Sequence, residues 1–157
     1  MTFSMRPEEK ITLGWREWVA LPELGLPAIK AKVDTGARTS TLHAFEVRSF
    51  EEDGKRRVEF KMHPNQRDLE TEIVCVADVV DERVVTDSGG HKEQRLVIAT
   101  TLSIGSYTWP IEATLTSRDK MLFRMLLGRT AIKGMAQVDP SKSYVVGKKP
   151  IKKAKLG

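Results

Sequence analysis

The stretch IKAKVDTGARTSTLHA, residues 29–44, opens as an alternating strand and then breaks into Asp34-Thr35-Gly36. Ile29, Ala31 and Val33 fall on one face, Lys30 and Lys32 on the other. The tripeptide reads either as a turn or as a carboxylate displayed for chemistry, because Asp and Gly both favour turns. Average residue usage would place one Asp-Thr-Gly in a chain of this length roughly 3% of the time, so alone it decides little. Its setting decides more. A hydrophobic strand feeds straight into it, the small residues Ala37, Thr39 and Ser40 follow, and an apolar run resumes at Leu42. That arrangement displays Asp34 on a tight loop at the end of a rigid strand, with Gly36 permitting close approach of a partner backbone.

The same alternation recurs along the chain. VEFKM (58–62) and WPIEATL (109–115) each put their apolar residues on one face. EIVCVADVV (72–80) and LVIATTL (96–102) are more continuously apolar and predict strands buried on both faces. Asp53-Gly54, Gly89-Gly90 and Gly105-Ser106 punctuate these runs as turns, the pattern of an all-β barrel or sandwich. A short helix is predicted to start near Arg129 and stop at Gly134, a residue suited to a C-cap.

Composition sets bounds. With 157 residues, 40% hydrophobic and 30% charged, the chain fits one globular domain with a real core. We expect a flexible N-terminus over 1–10, one domain over 11–147 and a basic, disordered tail over 148–157. The tail carries five of the 26 basic residues, and the remaining 21 balance 21 acidic ones. It reads as a solvated terminus or as a tether to an acidic surface. No apolar run is long enough for a bilayer, and MTFSMRPEEK has no signal-peptide core. Cys75, the one cysteine, lies in the apolar run IVCVA and reads as a buried thiol. These features predict a cytoplasmic protein. Trp15, Trp18 and Trp109 read as core or interface residues.

A second motif lies about ninety residues downstream. MLLGRTAI (125–132) places two large apolar residues before Gly128 and Arg129. Together, VDTGA and LLGR resemble the retropepsin-like aspartic proteases, in which the Asp-Thr-Gly loop lies beneath an apolar loop ending in Gly-Arg. The segment from Gly14 to Ala44 is similar to the bacterial and archaeal retropepsin-like family often labelled ATP-dependent zinc proteases, and the resemblance covers about residues 11–147. Zinc and ATP find no support in the residues. There is no His-Glu-x-x-His, and His43, His63 and His91 are isolated. No Gly-x-x-x-x-Gly-Lys-Ser/Thr loop is present to hold phosphates. No cofactor and no metal are expected.

The resemblance implies a mainly β, retropepsin-like closed β-barrel with one short C-terminal helix, working as a two-fold homodimer. Asp34 would be the catalytic acid, with Thr35, Gly36 and Ala37 completing its loop. Aspartic peptidases need two carboxylates that share one proton, because like charges a few ångströms apart cannot both ionise cheaply. Asp87-Ser88-Gly89 is a rival second loop, but it lies between strand-like runs and suits a hairpin tip. Residues 83–96 are then either a flap over the substrate or an ordinary surface hairpin. As a flap, Ser88, Gly89 and Gly90 would touch substrate. With one catalytic loop per chain, the second carboxylate must come from a second copy. Leu126, Leu127, Gly128 and Arg129 would form the cleft wall and dimer support.

Two departures from the viral enzymes stand out. Arg38 occupies a position usually acidic there. It would tune the catalytic pair, grip an acidic substrate group, or simply face solvent. Residues 45–78 form an extra block expected to narrow or reshape the cleft. Family members commonly accompany a glutamate ligase that modifies a ribosomal protein, so the resemblance implies a peptide substrate that is acidic or poly-glutamate. Lys30 and Lys32 would fit such a substrate unless alternation turns them to solvent. The alternatives are a non-catalytic partner of a glutamate ligase or ribosomal protein on the same fold and, more remotely, a metal-dependent peptidase.

Overall fold

The computed structural model describes residues 10–86, 89–117 and 123–147. Residues 1–9, Asp87 and Ser88, 118–122 and the tail 148–157 lie outside the described residues. The chain is mainly β, with strands β1 (Ile11–Leu13), β2 (Arg16–Leu21), β3 (Leu26–Val33), β4 (Ser40–His43), β5 (Phe45–Glu52) and β6 (Lys55–Met62). They are followed by β7 (Ile73–Thr86), β8 (Lys92–Ile104), β9 (Tyr107–Thr116), β10 (Met125–Leu127) and β11 (Ala136–Val138), with the helix α1 (Arg129–Ile132) between the last two. A 3-10 turn at Pro22–Leu24, opened by Pro22 and closed by Gly25 at φ 74°, joins β2 to β3 and is not among the expected elements.

Nine strands form one sheet in the order β2-β3-β10-β4-β9-β8-β7-β6-β5, and β2 also meets β8 where Ala20 pairs Ser103. β1 and β11 pair separately, in parallel. Most neighbours run antiparallel, but β10 is parallel to β3 and β4 is parallel to β9. This places β10, from the C-terminal motif, between the strand that enters Asp34 and the strand that leaves its loop. Alternation explains the core. Leu26, Ala28, Ala31 and Val33 of β3 are buried while Pro27 and Lys32 are exposed. In β9, Trp109, Ile111, Ala113 and Leu115 point inward. Leu102, Ile104, Phe60 and Met62 complete the packed interior.

The predicted turns stand where left-handed backbone is required. Asp53 and Gly54 adopt φ 53° and 78° between β5 and β6, and Gly105 adopts φ 59° between β8 and β9. Helix α1 runs into Lys133, and Gly134 follows at φ 80°, as its C-terminal glycine predicts. Trp109 is core, and its indole N–H donates to the Ala131 carbonyl at 2.9 Å. Trp15 and Trp18 are only half-buried.

Two expectations are corrected. β7 is not buried on both faces: Cys75 and Ala77 point inward, but Val74, Val80 and Val84 are exposed, because among the described residues no second layer packs over the outer face. The run 96–102 also alternates in part, with Ala99 exposed. The block 45–78 does not enter the cavity that holds Asp34. Its strands β5 and β6 extend the sheet beyond β7. Burial pushes the Cys75 thiol up to about 12, so this cysteine is an inert core residue. No helix among the described residues is long and apolar enough to cross a membrane.

A buried carboxylate fastens the C-terminal segment to this sheet. Glu17 is 0% exposed and accepts the N–H groups of Gly14 (2.6 Å), Val145 (3.0 Å) and Val146 (3.2 Å). Gly14 has no room for a side chain, since a Cβ there would sit 2.3 Å from the Lys142 carbonyl oxygen. Glu17→Ala would strand these donors in the interior at a cost of about 1–3 kcal/mol. Urea denaturation should show that loss, with Glu17→Gln losing less because its carbonyl still accepts. Equal midpoints for all three proteins would mean that the clamp contributes nothing.

Candidate active site

Asp34 follows the last residue of β3 and is half-buried. Its backbone N–H donates to the Leu127 carbonyl at 2.9 Å, which anchors the loop to β10. Its Oδ1 accepts the Gly36 N–H at 3.0 Å, and its carbonyl accepts the Ala37 N–H at 3.2 Å. The carboxylate is thereby held by its own loop, and Oδ2 has no hydrogen-bond partner among the described residues. A Cβ on Gly36 would lie 3.2 Å from Oδ1, so the glycine leaves that oxygen its space.

The Gly-Arg loop is stitched to the same turn. Arg129 and Thr130 donate their N–H groups to the carbonyls of Ala37 (2.7 Å) and Arg38 (3.0 Å). Gly128 N–H donates to Ser40 Oγ at 2.9 Å. A Cβ on Gly128 would approach the Thr39 carbonyl carbon to 2.6 Å and the Ser40 nitrogen to 2.8 Å, so only glycine fits that crossing. The Arg129 side chain donates to the Thr35 carbonyl at 3.3 Å. The four residues read together from the sequence divide: Leu126 faces the Asp34 cavity, Leu127 packs in the core, and Gly128 and Arg129 hold the loop.

The cavity holding Asp34 measures about 630 Å³. The Asp34 loop contributes Gly36, Ala37, Arg38 and Thr39, and the β7 stem contributes Arg83 to Thr86. Residues 83–86 pair with 92–95 as a hairpin, as the turn signal predicts. A bulge at Val80 breaks the register between Val79 and Asp81 and bends the strand before it reaches the cavity. Gly90 takes φ 85° near the tip, and neither Gly89 nor Gly90 lines the cavity. Ser88 lies outside the described residues.

Two arginines in this cavity escaped the sequence reading. Arg95 is buried, donates to Glu93 at 2.5 Å, and reaches Thr114 Oγ1 at 3.4 Å, which in turn meets Thr41 Oγ1 at 3.1 Å. Its signal was a charge in phase with the buried Val97, at the start of the apolar run of β8. Arg83 pairs with Asp81 at 2.7 Å and Glu112 at 3.1 Å. Hydrogen bonding to Asp81 raises the Arg83 pKa further, so its charge is permanent. Arg38 is exposed, lines both this cavity and a neighbouring one, and makes no ion pair among the described residues. Asp34 is thus the one acid among the described residues lining the cavity, against three arginines. Lys30 is occupied elsewhere, donating to Gln66 at 3.0 Å and lying over the Trp18 ring.

Known proteins place this arrangement. A crystal structure of a Legionella pneumophila protein of unknown function superposes with a TM-score of 0.73 at 25% identity, covering 87% of this chain and 98% of that one. A protein of Shewanella pealeana named "Probable alpha-L-glutamate ligase" is 46% identical over 142 residues, 90% of this chain. One of the same name from Parasynechococcus marenigrum is 49% identical over 138 residues, 88% of this chain. The chain spans only 31% and 30% of the lengths of those two relatives. Residues 12–149 match the model of the family described as "Retropepsin-like aspartic endopeptidase RimB". The chain therefore belongs to the RimB-like family of retropepsin-like proteins.

Proposed function

We propose that the protein is an aspartic peptidase that acts as a two-fold homodimer on acidic peptides. The observation that carries this reading is the Asp34 carboxylate, its loop fixed by hydrogen bonds to Gly36 and Leu127, in a cavity whose other charged lining residues, among those described, are Arg38, Arg83 and Arg95. We read residues 11–147 as the catalytic unit, its sheet closed into a barrel through the β2–β8 contact. Two copies would bring their Asp34 loops together on the symmetry axis, with exposed Thr35 and Gly36 at the junction.

In that dimer one Asp34 is ionised and its partner protonated, since two adjacent like charges are costly. The ionised carboxylate takes a proton from water as the water oxygen bonds to the peptide carbonyl carbon. The protonated carboxyl gives its proton to the carbonyl oxygen, stabilising the tetrahedral intermediate. The C–N bond then breaks as the nitrogen gains a proton, and a carboxylic acid and an amine leave.

The substrate class follows from charge. Arg83 and Arg95 are compensated by Asp81, Glu112 and Glu93, whereas Arg38 has no such partner among the described residues and would take a substrate carboxylate. The relatives supply context. A region like this chain forms about a third of polypeptides named as glutamate ligases. A hydrolase working beside such a ligase would remove glutamates from a tailed protein, for instance a ribosomal one, in the cytoplasm. The ligase names also favour a second reading, in which the domain binds the ligase or its substrate without cleaving anything.

Asp34→Asn separates the two readings. It should abolish hydrolysis of a glutamate-tailed peptide and leave thermal stability nearly unchanged, whereas a pure binding module would lose nothing. Specific activity should also rise with protein concentration across the dimerisation range, because each chain supplies half of the catalytic pair. A concentration-independent, active monomer would rule out the shared dyad. Finally, Arg38→Ala should cost about 1.5–3 kcal/mol in kcat/KM on Glu-rich peptides, with little effect on neutral ones. Equal losses on both would remove Arg38 from substrate recognition.

A further inference from the structure

A second cavity, of about 560 Å³, is lined by His43, Phe45, His63, Leu69, Ser117 and Arg124. Strand pairing ties it to the first. β4 and β10 pair with Leu126 opposite Thr41, and both residues line the Asp34 cavity. The His43 N–H donates to the Arg124 carbonyl at 2.9 Å, bringing those two residues side by side two positions farther along. Residues two apart share a face, so Arg124 and His43 continue the wall formed by Leu126 and Thr41, roughly 7 Å onward.

Arg124 is 6% exposed. Its Nη1 donates to His43 Nδ1 at 3.2 Å, and its Nε has no hydrogen-bond partner. Among the described residues no carboxylate lies within ion-pair distance of it, in contrast to buried Arg95 with Glu93. Burial lowers the Arg124 pKa, and the charge of Asp68 opposes that shift. Asp68 itself is engaged by Thr71 Oγ1 (2.7 Å), the N–H groups of Glu70 (2.9 Å) and Thr71 (3.2 Å), and Asn65 (3.3 Å). A guanidinium does not give up its proton, so the interior holds a fixed cation with a spare donor and, among the described residues, no counter-ion. Beside it, Ser117 offers a hydroxyl, and His63 is steadied by stacking on Phe45 and by its Nδ1 contact with the Thr71 carbonyl.

We propose that the Arg124–His43 cavity is a carboxylate subsite, taking an acidic group of the bound chain about two residues beyond the one seated over Thr41 and Leu126. The proposal rests on the acidic-peptide reading and adds a second recognition point to Arg38. The carboxylate would belong either to a glutamate side chain or to a free C-terminus; both offer the same planar acceptor to the guanidinium.

Equilibrium binding to the Asp34→Asn protein tests this without reading hydrolysis. The probes are tetraglutamate, its C-terminal amide, and tetraglutamine amide, followed by calorimetry in the Asp34→Asn background with and without Arg124→Met. Arg124→Met should weaken tetraglutamate binding tenfold or more and leave tetraglutamine amide unaffected. Weakening confined to the free acid assigns the subsite to the chain terminus, and weakening that persists in the amide assigns it to a side chain. The melting temperature of Arg124→Met should be equal or higher, because an unpaired buried charge is gone. Should that variant fail to fold, Arg124→Lys keeps the charge but loses the Nε donor, and it should still weaken tetraglutamate binding. Arg38→Ala in the same background separates the failures. Weakening by Arg38→Ala but not by either Arg124 variant overturns the subsite while sparing the acidic-peptide reading. No binding of tetraglutamate to the parent protein overturns both.

Discussion

The backbone crossing at Gly128 is the constraint on which the site depends. A side chain at that position would meet the Thr39 carbonyl carbon at 2.6 Å, so the two loops touch main chain to main chain. That closeness allows Ser40 Oγ to accept the Gly128 N–H and the Ala37 and Arg38 carbonyls to accept the next two. Leu127 meanwhile receives the Asp34 N–H. Four hydrogen bonds thus join segments about ninety residues apart, and they fix where the Asp34 carboxylate stands. β10 extends the same logic into the sheet, being parallel to β3 and antiparallel to β4.

Electrostatics gives the cleft its character. An overall charge of +5 says little, since the tail residues supply it. What matters is local: among the described residues, three arginines line the cavity with one aspartate, two of them already matched by carboxylates and one left unmatched. Compensated arginines shape and stiffen a wall, whereas an uncompensated one attracts an anion. Arg124 extends this contrast into the interior, where desolvation makes a missing partner costlier than at the surface.

The hairpin of β7 and β8 shows how a strand becomes part of a site. Its inner half packs Cys75 and Ala77 into the core, and its outer half carries Arg83 to Thr86 alongside Asp34. The bulge at Val80 separates the two halves. Ion pairs from Arg83 to Glu112 and from Arg56 to Glu82 join the outer arm to β9 and β6, and the Arg83–Asp81 pair lies within the arm itself. They are exposed and individually worth little, but together they define where the arm lies.

Local rules read directly along the chain. Period-two alternation identified β3, β6 and β9, glycine placed the turns at 53–54 and 105–106, and Gly134 ended the helix, because each depends on neighbours within a few residues. The pair of motifs around Asp34 and Gly128 identified the family and the principal loop. Alternation cannot say which face finds a covering layer, and so β7 looked doubly buried when its outer face is open. Nor can it say which distant charges converge. Arg83, Arg95 and Arg124 lie on three separate segments, and Lys30, nearer to Asp34 in the chain, turns away to Gln66 and Trp18. Sequence by itself determined the strands with clear alternation, the glycine turns and the Asp-Thr-Gly loop motif, since those are set by backbone sterics and periodicity. Only the tertiary structure decided which arginines face a cavity and which have partners, because strand register across the sheet brings those groups together over separations the linear pattern does not encode.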